Sequence, residues 1–287
     1  MAEIFATVTG AISIAGLFNN CVDCFNYVQI ARHFGEDFSP YQLRLDVAKC
    51  RLARWGASIN INNDRRFSLI NPADPTVLMA RDILKEIVAR FEAAYKVSRR
   101  YETRTTEKGT RICTEADLSP VSQRVHTRFD VLTKQRCESL GLMKKTGWAL
   151  YDKNYMGRMI DDIIASIEDL EKVFPSTPQI TRQLAEMEIE EVNDEQELEL
   201  IHDIAEGLDP VLSKASKAKI VEIAGKNTAG KITGQGRVNI GNTFVTGSFS
   251  NSQGIRVSTV NHVDEVNTAE PSRVNIGNIW GGKGFWD

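Results

Sequence analysis

From Tyr41 onward, Tyr41, Leu45, Ala48, Leu52, Trp55 and Ile59 fall four and three residues apart, which puts them on one face of a helix. Arg44, Lys49, Arg51 and Arg54 lie between them. Ala80, Leu84, Ile87, Phe91 and Ala94 repeat the spacing and predict a second helix from about Pro75 to Tyr101. Ser119 followed by Pro120 reads as an N-cap and a first-turn proline, opening a third helix striped by Val121, Val125, Phe129 and Leu132. Met156, Ile160, Ile163, Ile167 and Leu170 mark a fourth. It must stop before Phe174-Pro175-Ser176-Thr177-Pro178, because proline cannot continue it. No stretch here alternates with period two for long enough to argue a sheet, so residues 1–226 read as an all-α helical bundle.

Beyond the Pro-Ser-Thr-Pro connector, Ile180, Leu184 and Met187 keep a helical stripe. Residues 183–213 hold no Lys or Arg, however, and 186–206 hold ten carboxylates. That polarity predicts a solvated helix closing the bundle. Lys214, Lys217, Lys219 and Lys226 then reverse the sign just before a break in composition: ten of the 20 glycines follow Lys226, and no leucine follows Leu212. The whole chain, 287 residues with 42% hydrophobic and 25% charged positions and a net charge of -3, is too balanced for global disorder or generic nucleic-acid binding. Residues 1–226 carry 30 Lys+Arg against 34 Asp+Glu, and 227–287 carry 5 against 4, so the glycine-rich final fifth is no basic tail.

Residues 4–31 contain one charged side chain, Asp23. The first Lys or Arg is Arg32, which excludes the basic start of a secretory signal. The apolar and small run from Ile4 to Phe18 falls short of the roughly 20 residues that span a bilayer, and it reads as a buried core helix in a cytoplasmic protein. Five cysteines at irregular spacing form no secreted disulfide framework. Cys21 and Cys24 make a C-x-x-C, but inside an apolar helix and without a second ligand pair they read as buried thiols. The histidines, His33, His126, His202 and His262, have no ligand spacing and default to surface or interface positions. His33, next to Arg32 at the end of the apolar segment, is where protonation bears on membrane insertion. Gly277 to Gly284 approaches a P-loop, yet Gly284 stands where a hydroxyl is required and no helix can follow. No enzyme, cofactor or metal is expected.

The final fifth repeats itself. Arg237-Val238-Asn239-Ile240-Gly241-Asn242 recurs letter for letter 36 residues later as Arg273-Val274-Asn275-Ile276-Gly277-Asn278. Asn227-Thr228-Ala229-Gly230-Lys231-Ile232 answers Asn261-His262-Val263-Asp264-Glu265-Val266 at a distance of 34. The units are 227–247 and 261–281, the second longer by two residues between its blocks. In an extended chain Val238 and Ile240 share one side and Arg237 and Asn239 the other, and Gly241 can turn the chain. Stacking the units puts Val238 on Val274, Ile240 on Ile276, Asn239 on Asn275 and Asn242 on Asn278, forming asparagine ladders. Lys231 meets Glu265, which alternates charge along the stack and sets register. Two coils are too few for an independent solenoid, which predicts a tail disordered as a monomer and β-solenoid when copies stack as amyloid. Gly230, Gly234, Gly236 and Pro271 predict looser hydrogen bonding between coils.

The doubled Arg-Val-Asn-Ile-Gly-Asn, the start Gly16-Leu17-Phe18-Asn19-Asn20-Cys21-Val22-Asp23-Cys24-Phe25, Arg54-Trp55-Gly56, Lys144-Lys145-Thr146 with Trp148-Ala149-Leu150-Tyr151-Asp152, and the ending Gly281 to Asp287 resemble the fungal HET-s/HET-S heterokaryon-incompatibility prion family over essentially the whole chain. The resemblance implies a HeLo domain at 1–226 and a prion-forming domain at 227–287. The implied amyloid core is Asn227, Ala229, Lys231, Ile232, Arg237, Val238, Asn239, Ile240, Gly241, Asn242 and their partners Asn261, Val263, Glu265, Val266, Arg273, Val274, Asn275, Ile276, Gly277 and Asn278, with Phe285 and Trp286 accessory to it. It further implies a cell-death effector whose templated tail releases the segment near residues 4–31 into the cell membrane, with Ile14, Gly16, Leu17, Phe18, Asp23 and His33 bearing on insertion. Histidine at 33 resembles the toxin-competent type. The implied partners are other copies, through the helical domain and the tail, homologous prion domains, a NOD-like receptor with a similar amyloid motif, and membrane lipids, but no nucleic acid. The other reading is a non-toxic prion or interaction protein whose helical domain only regulates assembly.

Overall fold

The computed structural model describes residues 12–70, 72–104, 112–137, 147–224, 226–240, 243–244, 260–269, 272–276 and 279–280. The chain divides into two compact units, Met1–Ser216 and Lys217–Asp287.

The first unit is helical. Ser13 opens α1 (Ile14–Phe25), its hydroxyl accepting from the Gly16 N–H at 3.2 Å. After β1 (Val28–Ile30) and a 3-10 turn (Arg32–Asp37) comes α2 (Phe38–Ser58), the helix about which the unit is built. From Leu45 to Gly56 every residue of α2 is buried, including Asp46, Lys49, Arg51 and Arg54. The apolar stripe predicted there is real, yet the charged positions between its members are buried too. Short α3 (Arg65–Ser68) leads to α4 (Pro75–Arg104), three residues longer than predicted. α5 (Pro120–Arg136) starts as expected, with Ser119 Oγ accepting from the Ser122 N–H at 3.1 Å and proline in the first turn. After β2 (Trp148–Leu150), Asp152 caps α6 (Lys153–Val173), which ends at the predicted Phe174-Pro175 stop.

The carboxylate-rich stretch is not one solvated helix. It forms α7 (Pro178–Ile189) and α8 (Glu195–Ala205), followed by α9 (Pro210–Ala224). Glu188, Glu197 and Asp209 are buried. Basic residues of α2 and α5 neutralise them, while the other eight carboxylates of 186–206 are exposed, so the stretch keeps the solvated acidic face expected of it but divides into two helices. The other departure from an all-helical pattern is the parallel pair β1 and β2, with Val28 opposite Trp148 and Ile30 opposite Leu150. Three-residue strands, with Trp148, Ala149 and Leu150 all buried, are too short and too apolar to show alternation.

The second unit holds three two-stranded parallel ladders among the described residues. β3 (Lys226–Gly234) pairs with β6 (Val260–Thr268), β4 (Arg237–Ile240) with β7 (Arg273–Ile276), and β5 (Thr243–Phe244) with β8 (Ile279–Trp280). Each strand of the first repeat thus lies beside the matching strand of the second. A single copy leaves Val266 40% and Ile276 44% exposed.

Candidate functional site

The ladders reproduce the register read from the repeats. Asn227 pairs with Asn261, Ala229 with Val263, Lys231 with Glu265 and Ile232 with Val266, all at the 34-residue offset. Arg237, Val238, Asn239 and Ile240 pair with Arg273, Val274, Asn275 and Ile276 at the 36-residue offset. The two extra residues sit in the corner: residues 235–236 separate β3 from β4, whereas 269–272 separate β6 from β7. Gly234 (φ 124) and Gly236 (φ 145) supply the tight corner with backbone conformations that L side chains rarely adopt. The Ala269 and Arg273 N–H groups donate to their carbonyls at 3.3 and 3.0 Å, so glycine tightens this corner while the coils stay bonded.

Asn275 Nδ2 donates to Asn239 Oδ1 at 2.6 Å, the first rung of an asparagine ladder. Lys231 Nζ lies 2.8 Å from Glu265 Oε2 with about half of each side chain exposed, so the pair selects register more than it adds stability. Arg237 and Arg273 put like charges directly opposite each other, which opposes stacking. Gly241, Asn242, Gly277, Asn278, Phe285, Trp286 and Pro271 lie outside the described residues.

In α1, Ile14, Leu17 and Phe18 are at most 1% exposed, and Asp23 and Gly16 are half-buried. A Cβ on Gly16 would stand 2.9 Å from Ile12 Cγ1. The Phe18 ring fills the space that a side chain at Gly56 would need, and its centroid is 6.1 Å from that of Trp55. His33 falls in the 3-10 turn, its side chain outside the described part, as are residues 1–11. Cys21 and Cys24 are buried thiols, as expected. Cys21 Sγ donates to the Leu84 carbonyl at 3.2 Å, and burial holds its pKa well above the ordinary thiol value. Asn19 and Asn20 are buried in the same helix. Asn19 Nδ2 reaches Asn62 Oδ1 at 3.0 Å, whereas Asn19 Oδ1 and Asn20 Nδ2 have no hydrogen-bond partner among the described residues. No helix of the described residues is long and apolar enough to cross a membrane.

Two charge clusters escaped the sequence. Arg54, 2% exposed, bridges Glu188 of α7 and Asp209 just before α9, and Glu188 also takes Arg136 of α5. His126, expected at a surface or interface, joins Asp46 with Nδ1 2.7 Å from Oδ2. Hydrogen bonding to Asp46 raises the His126 pKa, and burial raises that of Asp46. The only hint of the first cluster was the coexistence of arginines inside an apolar stripe and a carboxylate run lacking its own cations. No group of three or more metal-ligating side chains occurs among the described residues.

A helical unit followed by a duplicated, self-pairing β tail defines a prion-type protein with a helical partner domain. The HeLo family, described as prion-inhibition and propagation, matches residues 6–201, and the Het-s 218-289 family matches residues 219–281. Heterokaryon incompatibility protein s of Podospora anserina is 43% identical over 291 residues, and protein S of the same fungus is 42% identical over 289, each alignment covering all of both chains. The solved HET-S N-terminal domain superposes with a TM-score of 0.73 at 44% identity, covering 76% of this chain and 98% of that one. A double mutant of the HET-s N-terminal domain gives 0.70 at 43%, covering 72% and 98%. The chain belongs to the HET-s/HET-S heterokaryon-incompatibility prion family.

Proposed function

We propose that this protein is a heterokaryon-incompatibility cell-death effector, with residues 1–226 as the effector part and 227–287 as the prion-forming part. Templating of the tail into a β-solenoid amyloid displaces the end of the helical part, and the segment near residues 4–31 enters and disrupts the membrane. One observation carries this reading. The match to the tail family begins at residue 219, whereas residues up to Ala224 are helical in α9 and the first tail strand starts at Lys226, so residues 219–224 belong both to the tail module and to the last helix, and in this reading assembly of the tail draws on them. Ordering of the tail and integrity of the helix before it then compete for the same residues.

In this reading the template is another copy, an allelic prion domain or a NOD-like receptor with a matching motif, and the protein moves from cytoplasm to membrane on activation. Fibril stacking gathers many short apolar segments at one place, which favours joint insertion. Leakage from liposomes mixed with full-length protein and preformed 227–287 fibrils tests it. Dye release above the unseeded control is expected, and none, with fibril growth confirmed, refutes it.

A second reading, a non-toxic prion protein whose helical part only regulates assembly, draws on the absence of a membrane-length helix among the described residues. Replacing Ile14 or Gly16 by a charged residue separates the two. An effector loses leakage while fibrils still form.

A further inference from the structure

Arg54, Trp55 and Gly56 are consecutive on α2 and touch two different things. Arg54 Nη1 donates to Glu188 Oε2 at 2.7 Å and Nη2 pairs with Asp209, while Asp209 Oδ1 accepts from the Leu212 N–H at 3.1 Å and so caps α9. Trp55 and Gly56 form the seat of Phe18, the fully buried ring of α1. The first turn of α9 and one buried contact of α1 are therefore fastened to one turn of one helix, while Phe25, 4.9 Å from Phe91, and Cys21, bonded to the Leu84 carbonyl, tie α1 to α4.

We propose that Arg54 is a positioning residue for α1, a relay that converts loss of the α9 cap into loss of the Phe18 seat. With Asp209 in place, Arg54 and Arg136 are balanced by two carboxylates, Glu188 and Asp209. When α9 is withdrawn Asp209 goes with it, leaving Arg54 and Arg136, 2% and 10% exposed in the intact fold, to share the single carboxylate of Glu188. A buried unbalanced cation is strongly disfavoured, so α2 must shift to hydrate Arg54. The same turn carries Trp55 and Gly56, so the shift opens the space that holds Phe18.

The relay rests on the reading that release of α1 is the effector event, but its test involves neither fibrils nor vesicles. Failure of leakage and failure of the relay are thereby separate results. Amide hydrogen exchange is followed by mass spectrometry on the unseeded full-length chain. Asp209→Asn is expected to speed exchange in residues 14–25 on the order of 100-fold, selectively over the α6 core. Ile167→Ala, a cavity in α6, provides the comparison for general destabilisation and should not favour α1. Arg54→Met combined with Asp209→Asn removes one charge of each sign, leaves Glu188 with Arg136, and should return α1 to within about threefold of the wild type. If Asp209→Asn does not fold, Arg54→Lys decides the matter: an ammonium lacks the fork that spans both carboxylates, and α1 exchange should rise about tenfold with the same selectivity. Acceleration spread evenly over all helices, α1 unchanged in the single variants, or no recovery in the double variant would each overturn the relay.

Discussion

Removing the Phe18 ring tests whether α1 is held by the pocket at Gly56. Phe18 is fully buried, and truncation to alanine deletes an aromatic side chain where neighbours cannot collapse freely, a loss of about 3–5 kcal/mol. At about 2–4 °C per kcal/mol for a domain of this size, that lowers Tm by roughly 6–20 °C. Gly56→Ala in the wild type drives a methyl into the ring, an overpacking cost of about 1–3 kcal/mol. In a Phe18→Ala background the same methyl enters space the ring has vacated, so the double variant should be more stable than the sum of the single losses by about 1 kcal/mol or more. Urea denaturation of full-length protein followed by far-UV circular dichroism, under conditions without fibrils, measures all four corners of the cycle. Additivity within about 0.5 kcal/mol would refute the claim that the Phe18 ring and the Gly56 surface share one volume.

Lys231→Glu sets two carboxylates opposite each other at the Glu265 position and should slow seeded fibril growth. Adding Glu265→Lys restores opposite charges and the rate, a difference of up to about 1 kcal/mol per pair that thioflavin kinetics at low salt will register. Val238→Asp, facing Val274, should abolish growth by adding a charge to each apolar rung; persistence of seeded fibrils would show that the rung is dispensable. The His126 pKa is raised in the fold, chiefly by its hydrogen bond to Asp46, so its contribution is fully present below about pH 6.5, the unfolded value, and is lost as pH rises through the folded value. The urea midpoint should therefore fall from about pH 6 toward pH 8, and His126→Gln should flatten that slope. Thiol titration should label the half-buried Cys113 first, ahead of Cys137, whose pKa burial pushes up to about 12, and of Cys21, Cys24 and Cys50, which react only on unfolding; early labelling of Cys21 would place α1 outside the core.

The starts of α5 and α6 and the Phe174-Pro175 stop rest on capping and proline chemistry within a few residues, so they are visible in the chain itself. Pairing of Asn239 with Asn275 is visible for another reason: a parallel in-register ladder places like on like, and the duplication writes the same letters twice. Even the corner follows, because two extra residues in one repeat must loop out between its blocks.

Arg54 belongs to the other class. In a one-dimensional pattern it is a charge beside an apolar stripe, and charges there usually face water. It is buried because α7 and α9 bring Glu188 and Asp209 to it from 134 and 155 positions away, and local periodicity carries no information about that meeting. The Phe18 and Gly56 contact, the His126 and Asp46 pair, and the three-residue strands β1 and β2 depend in the same way on which surfaces meet. The sequence alone determined the stripes of α2, α4, α5 and α6 and the self-pairing register, because these arise from short-range periodicity or from repetition. Tertiary structure alone decided which charges lost their water and that α2 and α4 together hold α1 in place, because desolvation and packing depend on neighbours that sequence distance does not reveal.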